Sequence, residues 1–156
     1  GGISTAVEYK GISLSANLYY QTGNYLYENN HRILISDGAF ANFNQHVSAM
    51  DRWQQPGDIT EVPKRIHQNP TSGHVASTRW LYKGDYVRLR DVRLAYTLPK
   101  NIVQRVLLGS ATIYAQGTNL WTSDYMGMDP EQGFEGDTWF QYPNAKTITF
   151  GVDISF

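Results

Sequence analysis

The carboxyl-terminal stretch of the chain alternates between apolar and polar residues. Because successive side chains of a β-strand point to opposite faces, residues 146–156 are predicted to form a strand with two unlike faces. The apolar face carries Ile148, Phe150, Val152, Ile154 and Phe156. This face bears no charge, and the segment is about as long as a tilted strand that crosses a bilayer. The pattern therefore fits both the edge of a soluble sandwich and the wall of a membrane barrel.

The start of the chain repeats this design as a hairpin. Residues 3–9 and 12–21 alternate in the same way, and Lys10-Gly11 between them predicts a tight turn in which glycine supplies a positive φ. Tyr25 and Tyr27 are expected to continue the second strand into an aromatic girdle at a membrane interface.

Two more strands are predicted in the second half, over residues 86–98 and 110–121. The alternation of the first of them changes phase between Leu89 and Val92. This change predicts either a β-bulge near Arg90-Asp91 or a strand that leaves the membrane at that point. Between the two strands, a short helix is expected over residues 101–108, ended by Gly109. Its inward residues would be Ile102, Val103, Val106 and Leu107.

Two long connections, residues 28–84 and 122–145, separate these strands. In the first, Ser36-Asp37 is a candidate helix cap, and apolar residues then recur at helical spacing. These residues are Phe40, Phe43, Val47 and Met50. Their apolar face is expected to pack under its own loop or to meet a partner protein. The rest of both connections is rich in turn-forming residues.

Short and long connections alternate along the chain, which favours the barrel wall over the sandwich. Bacterial outer-membrane barrels have short periplasmic turns and long extracellular loops, whereas a sandwich has no reason to segregate loop lengths. Five strands cannot close a barrel of their own. The chain is therefore expected to be all-β, supplying about five antiparallel strands of a larger transmembrane barrel, with long extracellular loops that contain a short helix.

Composition narrows the functional classes. The 156 residues carry a net charge of -1 and no cysteine, so nucleic-acid binding, a disulfide framework and a cysteine-based zinc site are not expected. Aromatic residues are abundant, with 11 Tyr, 6 Phe and 4 Trp. No apolar run is long enough for a membrane helix. The sequence begins within a strand pattern, which predicts a piece of a longer protein.

Chemistry-bearing motifs are lacking in the sequence. All four histidines lie in the first long connection, at positions 31, 46, 67 and 74, and no pair has the i, i+4 spacing of a helical metal site. Nucleophile elbows, phosphate-binding loops and paired-carboxylate motifs do not occur. We therefore predict no catalytic residue, no metal site and no cofactor.

Several ordered motifs together resemble one family. They are residues 1–3, 9–11, 51–53, 63–65, 84–99, 119–121, 125–131, 142–143 and 149–156. This combination resembles the carboxyl-terminal part of SusC/RagA-type TonB-dependent outer-membrane transporters. The resemblance implies the final five strands of a 22-stranded, plugged barrel in the bacterial outer membrane. It further implies TonB-energised import of glycan or peptide fragments beneath a SusD-like surface lipoprotein. The plug and the TonB box of that family have no counterpart in these residues.

Two sets of site residues follow from this interpretation. Phe150, Val152, Ile154 and Phe156 resemble the carboxyl-terminal signal read by the outer-membrane insertion machinery, although they would equally serve as lipid-facing wall. Candidate contacts with substrate or lid are loop residues that can stack or hydrogen-bond. These are Trp53, Trp80, Trp121, Tyr125, Asp129, Glu131 and Trp139. The simpler interpretation is that the aromatic residues anchor the interface or pack in their own loops, and that 129–131 is a solvated turn.

Two other classes remain open at this point. A soluble β-sandwich that binds carbohydrate would use the same aromatic residues as a platform. A passive porin would share the barrel wall, and only the part of the protein that precedes these residues would distinguish it from an energised importer. Gly151, on the polar face of the last strand, is expected to let the plug or a neighbouring strand approach closely.

Overall fold

The computed structural model describes residues 1–40, 42–68, 72–124, 129–131 and 136–156. It divides into two compact units. The sheet unit comprises residues 1–24, 84–130 and 143–156, and the loop unit comprises residues 25–83 and 131–142. The strands, in chain order, are β1 (Gly2–Tyr9), β2 (Ile12–Gln21), β3 (Tyr25–Glu28), β4 (Leu81–Lys83), β5 (Tyr86–Thr97), β6 (Ser110–Asp124), β7 (Asp137–Thr138) and β8 (Thr147–Ser155). The α-helices are α1 (Asn29–Leu34) and α2 (Lys100–Val103), with 3₁₀ turns at Val47–Asp51, Thr78–Trp80 and Gln104–Val106.

The sheet unit is a single five-stranded antiparallel sheet in the order β1-β2-β5-β6-β8. These are the five predicted strands, and the prediction of an all-β, antiparallel fold is confirmed. Lys10 and Gly11 form the two-residue turn between β1 and β2, with φ of 50° and 83°. Positive φ at both positions matches the twist of the flanking strands, which is why glycine occupies the second position.

The change of phase in β5 is a β-bulge, which confirms one of the two predicted alternatives. Arg90 is the extra residue of β5 relative to β2, because Asn17 pairs with Asp91 and Leu18 with Leu89. At the same level β6 inserts its own extra residue relative to β5, where Asn119 has a φ of 53°. Adjacent bulges keep the apolar residues of all three strands on one face above and below this level.

The connection between β5 and β6 is less regular than predicted. Helix α2 lasts one turn and continues as a 3₁₀ turn to Val106, and the left-handed residue that ends it is Leu107, not Gly109. Only Val103 is buried, whereas Ile102, Val106 and Leu107 are exposed. The segment is too short to form a helix without tertiary packing, so only the side chain that reaches the sheet is covered.

The loop unit has a small sheet of its own, in the order β4-β3-β7, with β3 and β7 parallel. Tyr25 and Tyr27 belong to this sheet, so the prediction that they prolong β2 is wrong. Gly23, with a φ of 80°, lies in the turn that separates β2 from β3. The buried cluster of the loop unit is Ile35, Ala49 and Trp80, with Tyr27 packed against it.

The predicted helix over Phe40, Phe43, Val47 and Met50 does not form. Gly38 has a φ of 105°, which a right-handed helix cannot contain, and the backbone N–H of His46 donates to the carbonyl of Leu34 instead of to a helical partner. Phe43, Val47 and Met50 are exposed, so they do not form the covered face that was expected. Contacts with distant residues outweigh helical spacing in this segment. Among the described residues, no helix combines the length and the apolar character needed to cross a membrane.

Candidate functional site

One face of the five-stranded sheet carries rows of apolar side chains. Directly opposed residues of neighbouring strands share a face, so the register defines rows across the sheet. The apolar rows are Thr5-Ala16-Val92-Gly117-Ile148, Val7-Leu14-Leu94-Ala115-Phe150 and Tyr9-Ile12-Tyr96-Ile113-Val152. Ile148, Phe150 and Val152 are 66%, 78% and 58% exposed. The described residues therefore leave this face uncovered, whereas a sandwich would bury it under a second sheet.

The opposite face carries polar rows with hydrogen bonds between strands. The Asp91 carboxylate accepts hydrogen bonds from Thr118 at 3.2 Å and Gln116 at 3.5 Å, and the hydroxyls of Thr97 and Thr112 lie 3.0 Å apart. An ion pair joins Arg93 of β5 to Asp153 of β8 at 2.9 Å. One face thus carries hydrogen-bonded polar groups, while the other is predominantly apolar.

Gly151 lies beneath the ring of Tyr114, its partner on β6. A Cβ atom at position 151 would lie 2.4 Å from the end of that ring. The neighbour that Gly151 admits is therefore a tyrosine of the adjacent strand. The sequence marks Tyr114 and Arg93 only by their parity, because both lie on the polar side of strands whose other side is apolar.

The proposed insertion signal lies on β8 and on Phe156, which directly follows that strand. Phe150, Val152, Ile154 and Phe156 are all exposed, and the first three share the apolar face. Of the described strands, only β6 pairs with β8, so its second edge presents unpaired backbone groups. This geometry suits a strand that pairs with another chain or segment, and the role as an assembly signal stays a prediction.

Asp129 is part of a buried ion pair. Its carboxylate accepts a hydrogen bond from Arg88 of β5, and the two side chains are 6% and 3% exposed. Asp129 also accepts the backbone N–H of Asn144 at 2.7 Å, and Arg88 donates to Thr122 at 3.1 Å. The simpler interpretation of 129–131 as a solvated turn is therefore wrong for Asp129. Asp129 therefore links the second long connection, in which it lies, both to β5 and to the backbone of Asn144.

The tryptophans occupy four different environments. Trp80 is fully buried, and its indole N–H donates to the carbonyl of Val75 at 3.1 Å, so it is a core residue of the loop unit. Trp53 is half-buried beside the Lys64 ammonium, 5.7 Å from the ring centre. Trp121 is exposed and pairs with Leu89 on the apolar face. Trp139 is exposed and donates to Asp137 at 3.0 Å.

Of the remaining candidate contacts, Glu131 is half-buried, and Tyr125 lies outside the described residues. The described candidate residues belong to two separate units of the chain. Trp139 and Trp121 are exposed but lie in different units, while Trp80 and Asp129 are occupied within the chain. Their roles toward a substrate or a lid stay predictions.

Four titratable groups of the loop unit have shifted pKa values, namely Glu28, His31, Arg79 and Tyr82, and burial is the main cause of each shift. Glu28 is fully buried, and the Thr138 hydroxyl beside it donates to the Tyr27 carbonyl at 3.4 Å. Burial raises the pKa of Glu28; Thr138 partly opposes this shift, and the Asp137 carboxylate adds to it. Burial also lowers the pKa of His31, whose ring lies 6.1 Å from that of His46.

Neither Glu28 nor His31 makes the loop unit a metal centre. Within the described ranges, no group of three or more His, Cys, Asp or Glu side chains could hold a metal ion.

The chain is therefore all-β, and its five-stranded sheet has one exposed apolar face, one hydrogen-bonded polar face and open edges. No family model matches the chain. Along 99% of its length, however, it is 29% identical to TonB-dependent receptor P26 and 28% identical to TonB-dependent receptor P3, both of Formosa agariphila. The chain spans 16% of the length of each of these relatives.

Solved structures of the same class of protein have a similar fold to this chain. The RagAB peptide importer in the closed-closed state matches all of this chain with a TM-score of 0.84 and 28% identity. The RagAB peptide transporter matches 99% of it, also at 0.84, with 30% identity. The chain covers 17% of either matched chain. The resemblance to SusC/RagA-type TonB-dependent receptors is confirmed over the whole chain, and these relatives are receptors and importers, not enzymes.

Proposed function

We propose that this chain is the carboxyl-terminal wall segment of a TonB-dependent transporter in the bacterial outer membrane. The observation that carries the proposal is the uncovered apolar face, backed by a polar face and bounded by open strand edges. Along β6, the residues from Ala111 to Trp121 span about 33 Å. With a strand tilt of about 40°, this corresponds to a band about 25 Å tall, the height of the apolar belt of such barrels.

In this proposal the five strands are part of a 22-stranded barrel. The polar rows line its interior around a plug domain, and β1 and β8 pair with strands of the same protein. The open edges support this arrangement, because an unpaired edge in lipid leaves backbone groups without partners. The relatives are long enough to supply the remaining strands, since the chain covers only 16% of each.

In this proposal residues 28–84 and 122–145 lie outside the cell. Both connections leave the sheet on the side opposite the Lys10-Gly11 turn, since β2 and β6 run away from that turn. We propose that a SusD-like surface lipoprotein covers this side and that TonB drives import through another part of the same protein. Exposed loop residues, Trp139 among them, are the candidate contacts with substrate or lid.

The imported solute is proposed to be a peptide or a glycan fragment. The similarity to the RagAB peptide importer favours peptides, while the exposed aromatic residues suit both classes. In this scheme the residues Phe150, Val152 and Ile154 of β8, with Phe156 directly after it, serve twice, first in the segment that the insertion machinery pairs with and then as lipid-facing wall.

The experiment that tests this function uses the full-length parent protein in its own bacterium. Uptake of labelled peptide and oligosaccharide mixtures is compared in cells that carry the protein, cells that lack it, and cells that carry it without functional TonB. We expect the protein in the outer-membrane fraction and one solute class to enter only in the first strain. Equal uptake without TonB would indicate a passive pore, and recovery in a soluble fraction would exclude a membrane role.

A further inference from the structure

The apolar face of β8 cannot by itself fix how this strand pairs with β6. A slip of one residue would turn the apolar side chains toward the polar face, which the apolar pattern excludes. A slip of two residues restores the same faces, because Ile148, Phe150, Val152, Ile154 and Phe156 are interchangeable large apolar residues. Some other feature must therefore distinguish the observed register from one displaced by two residues.

The polar face carries a contact that is specific to the observed register. Tyr114 pairs with Gly151, and the end of its ring occupies the space where a Cβ atom would stand, 2.4 Å away. Gly151 is the only glycine of β8. A two-residue slip places either Thr149 or Asp153 opposite Tyr114, and both have side chains that would displace the ring.

A second contact spans three strands. The Arg93 guanidinium of β5 lies 4.2 Å from the centre of the Tyr114 ring, and its Nη2 donates to Oδ2 of Asp153 at 2.9 Å. Arg93 thus stacks on the β6 tyrosine and reaches β8 beyond it. Asp153 is the only acidic residue of β8, so neither slipped register offers Arg93 another carboxylate at this position.

We propose that Arg93, Tyr114, Gly151 and Asp153 form a register clamp, which sets the pairing of the carboxyl-terminal strand with β6 as the barrel assembles. The clamp rests on the proposed function only in placing the chain in a membrane barrel. Its separate contributions are modest, because a cation–π contact and a partly exposed ion pair are each weak. They act by discrimination, since the alternative registers have the same apolar face and lose these contacts.

Pairs of engineered cysteines report the register in the full-length parent protein, assembled in the outer membrane and freed of other cysteines. Thr118→Cys with Thr147→Cys joins residues that are directly opposed in the observed register. Thr118→Cys with Thr149→Cys, and Gln116→Cys with Thr147→Cys, join residues that become opposed after a slip in either direction. Directly opposed residues are close enough for a disulfide, whereas diagonal neighbours lie near or beyond the limit.

The clamp is removed by Arg93→Gln with Tyr114→Thr. The matched control is Arg90→Gln with Tyr19→Thr, because Arg90 also lies 4.2 Å from the ring of Tyr19, but this pair does not involve β8. In the unaltered clamp and in the control, we expect the native cysteine pair to cross-link and the slip pairs to stay near background. Without the clamp, slip cross-links should rise roughly tenfold, the change that about 1.4 kcal/mol produces.

Conservative variants separate a clamp from general destabilisation. Tyr114→Phe keeps the ring over Gly151 and should keep the native register. Tyr114→Thr alone and Asp153→Asn alone should each raise the slip cross-links, but by less than the double variant does. If the double variant does not reach the membrane, these single variants are read with the same cysteine pairs. Native cross-linking unchanged in membrane-assembled clamp variants would overturn the proposal, while absence of the protein with an unaltered clamp from the membrane would overturn the proposed function instead.

Discussion

The sheet unit and the loop unit are stabilised in opposite ways. The sheet unit consists of five long strands joined by regular hydrogen-bond ladders, and many of its large apolar side chains are exposed on one face. The loop unit has short strands and turns, but it encloses a compact cluster around the fully buried Trp80. The first unit therefore depends on an apolar surrounding and the second on its own small core.

This difference separates two kinds of sensitivity. In the proposed barrel, a substitution in the sheet unit acts according to the face on which it lies, because the face decides whether the side chain meets lipid or the polar interior. In the loop unit a substitution acts according to how completely the residue is buried. The loss of stability should therefore follow the face of the substituted residue in the sheet unit and its burial in the loop unit.

The largest effect is expected from Trp80→Ala in the loop unit. The substitution leaves a large cavity in the cluster with Ile35 and Ala49 and removes the hydrogen bond to Val75. We expect a loss of about 3–5 kcal/mol in the free energy of opening of the loop unit. Hydrogen exchange of the full-length protein, followed at loop-unit amides, measures this energy.

Trp139→Ala is the matched control, because Trp139 is exposed in the same unit. It should change the opening energy by no more than about 1 kcal/mol, which is the scale of its hydrogen bond to Asp137. Equal losses for the two variants would show that burial does not control the stability of this unit.

A smaller effect, which depends on the face, is expected in the sheet unit. Leu18 lies on the apolar face and its neighbour Asn17 on the polar face of the same strand. Leu18→Arg should cost about 2–4 kcal/mol where the wall faces lipid, and Asn17→Arg should cost less. The measurement is refolding of the parent barrel into vesicles across a denaturant series. Comparable losses at both positions would contradict the assignment of the faces.

The hairpin turn gives a third comparison, between two glycines with similar backbone geometry. Gly11 has a φ of 83°, and a Cβ atom there would lie 2.8 Å from the Thr97 carbonyl oxygen; Gly23 has a φ of 80° with no atom within 4 Å. Gly23→Ala should cost about 1 kcal/mol through its left-handed backbone alone. Gly11→Ala should cost about 1–2 kcal/mol more, because the clash adds to that penalty. The same refolding assay measures both variants. Equal losses of stability would show that the contact with the Thr97 carbonyl does not destabilise Gly11→Ala.

The sheet unit could be predicted from the sequence because its determinants are local. Alternation with period two gives both the strands and their faces, and the shift of parity around Arg90 marks the position of the bulge. Arg93, Tyr114 and Gly151 also have the parity of the polar face, but their mutual contact depends on which strands are neighbours and in what register. That information is absent from a single strand.

The loop unit could not be predicted in the same way. Trp80 was a candidate for substrate contact, because a tryptophan in a polar loop has no periodic signal that marks it as core. The helical spacing of Phe40, Phe43, Val47 and Met50 was misleading, since backbone contacts from Leu34 and Ile66 determine that segment. Glu28 has no sequence signal either, because its burial results from the pairing of β3 with β4 and β7.

The buried Glu28 makes the stability of the loop unit depend on pH. Its raised pKa means that the folded unit prefers the neutral acid, while the opened unit titrates near the ordinary value of 4.5. Below that value both states are protonated and no stability is lost. As the pH rises from about 4.5 to the folded pKa, the opened unit releases this proton while the folded unit must keep it or bury a charge beside Asp137, so the stability of the folded unit falls.

Glu28→Gln removes the charge and keeps the size of the side chain. The variant should match the original protein at low pH and become progressively more stable than it as the pH rises above about 4.5, until the difference levels off above the folded pKa. Exchange of the Tyr27 amide, which donates to the Gly136 carbonyl at 2.8 Å, reports this opening at each pH.

His31 titrates in both proteins, so its own loss of stability in acid cancels in the difference. The exposed Glu61→Gln is the control and should give no such trend; a difference between Glu28→Gln and the original protein that is constant from low to high pH would show that the Glu28 carboxyl is not held neutral in the folded unit.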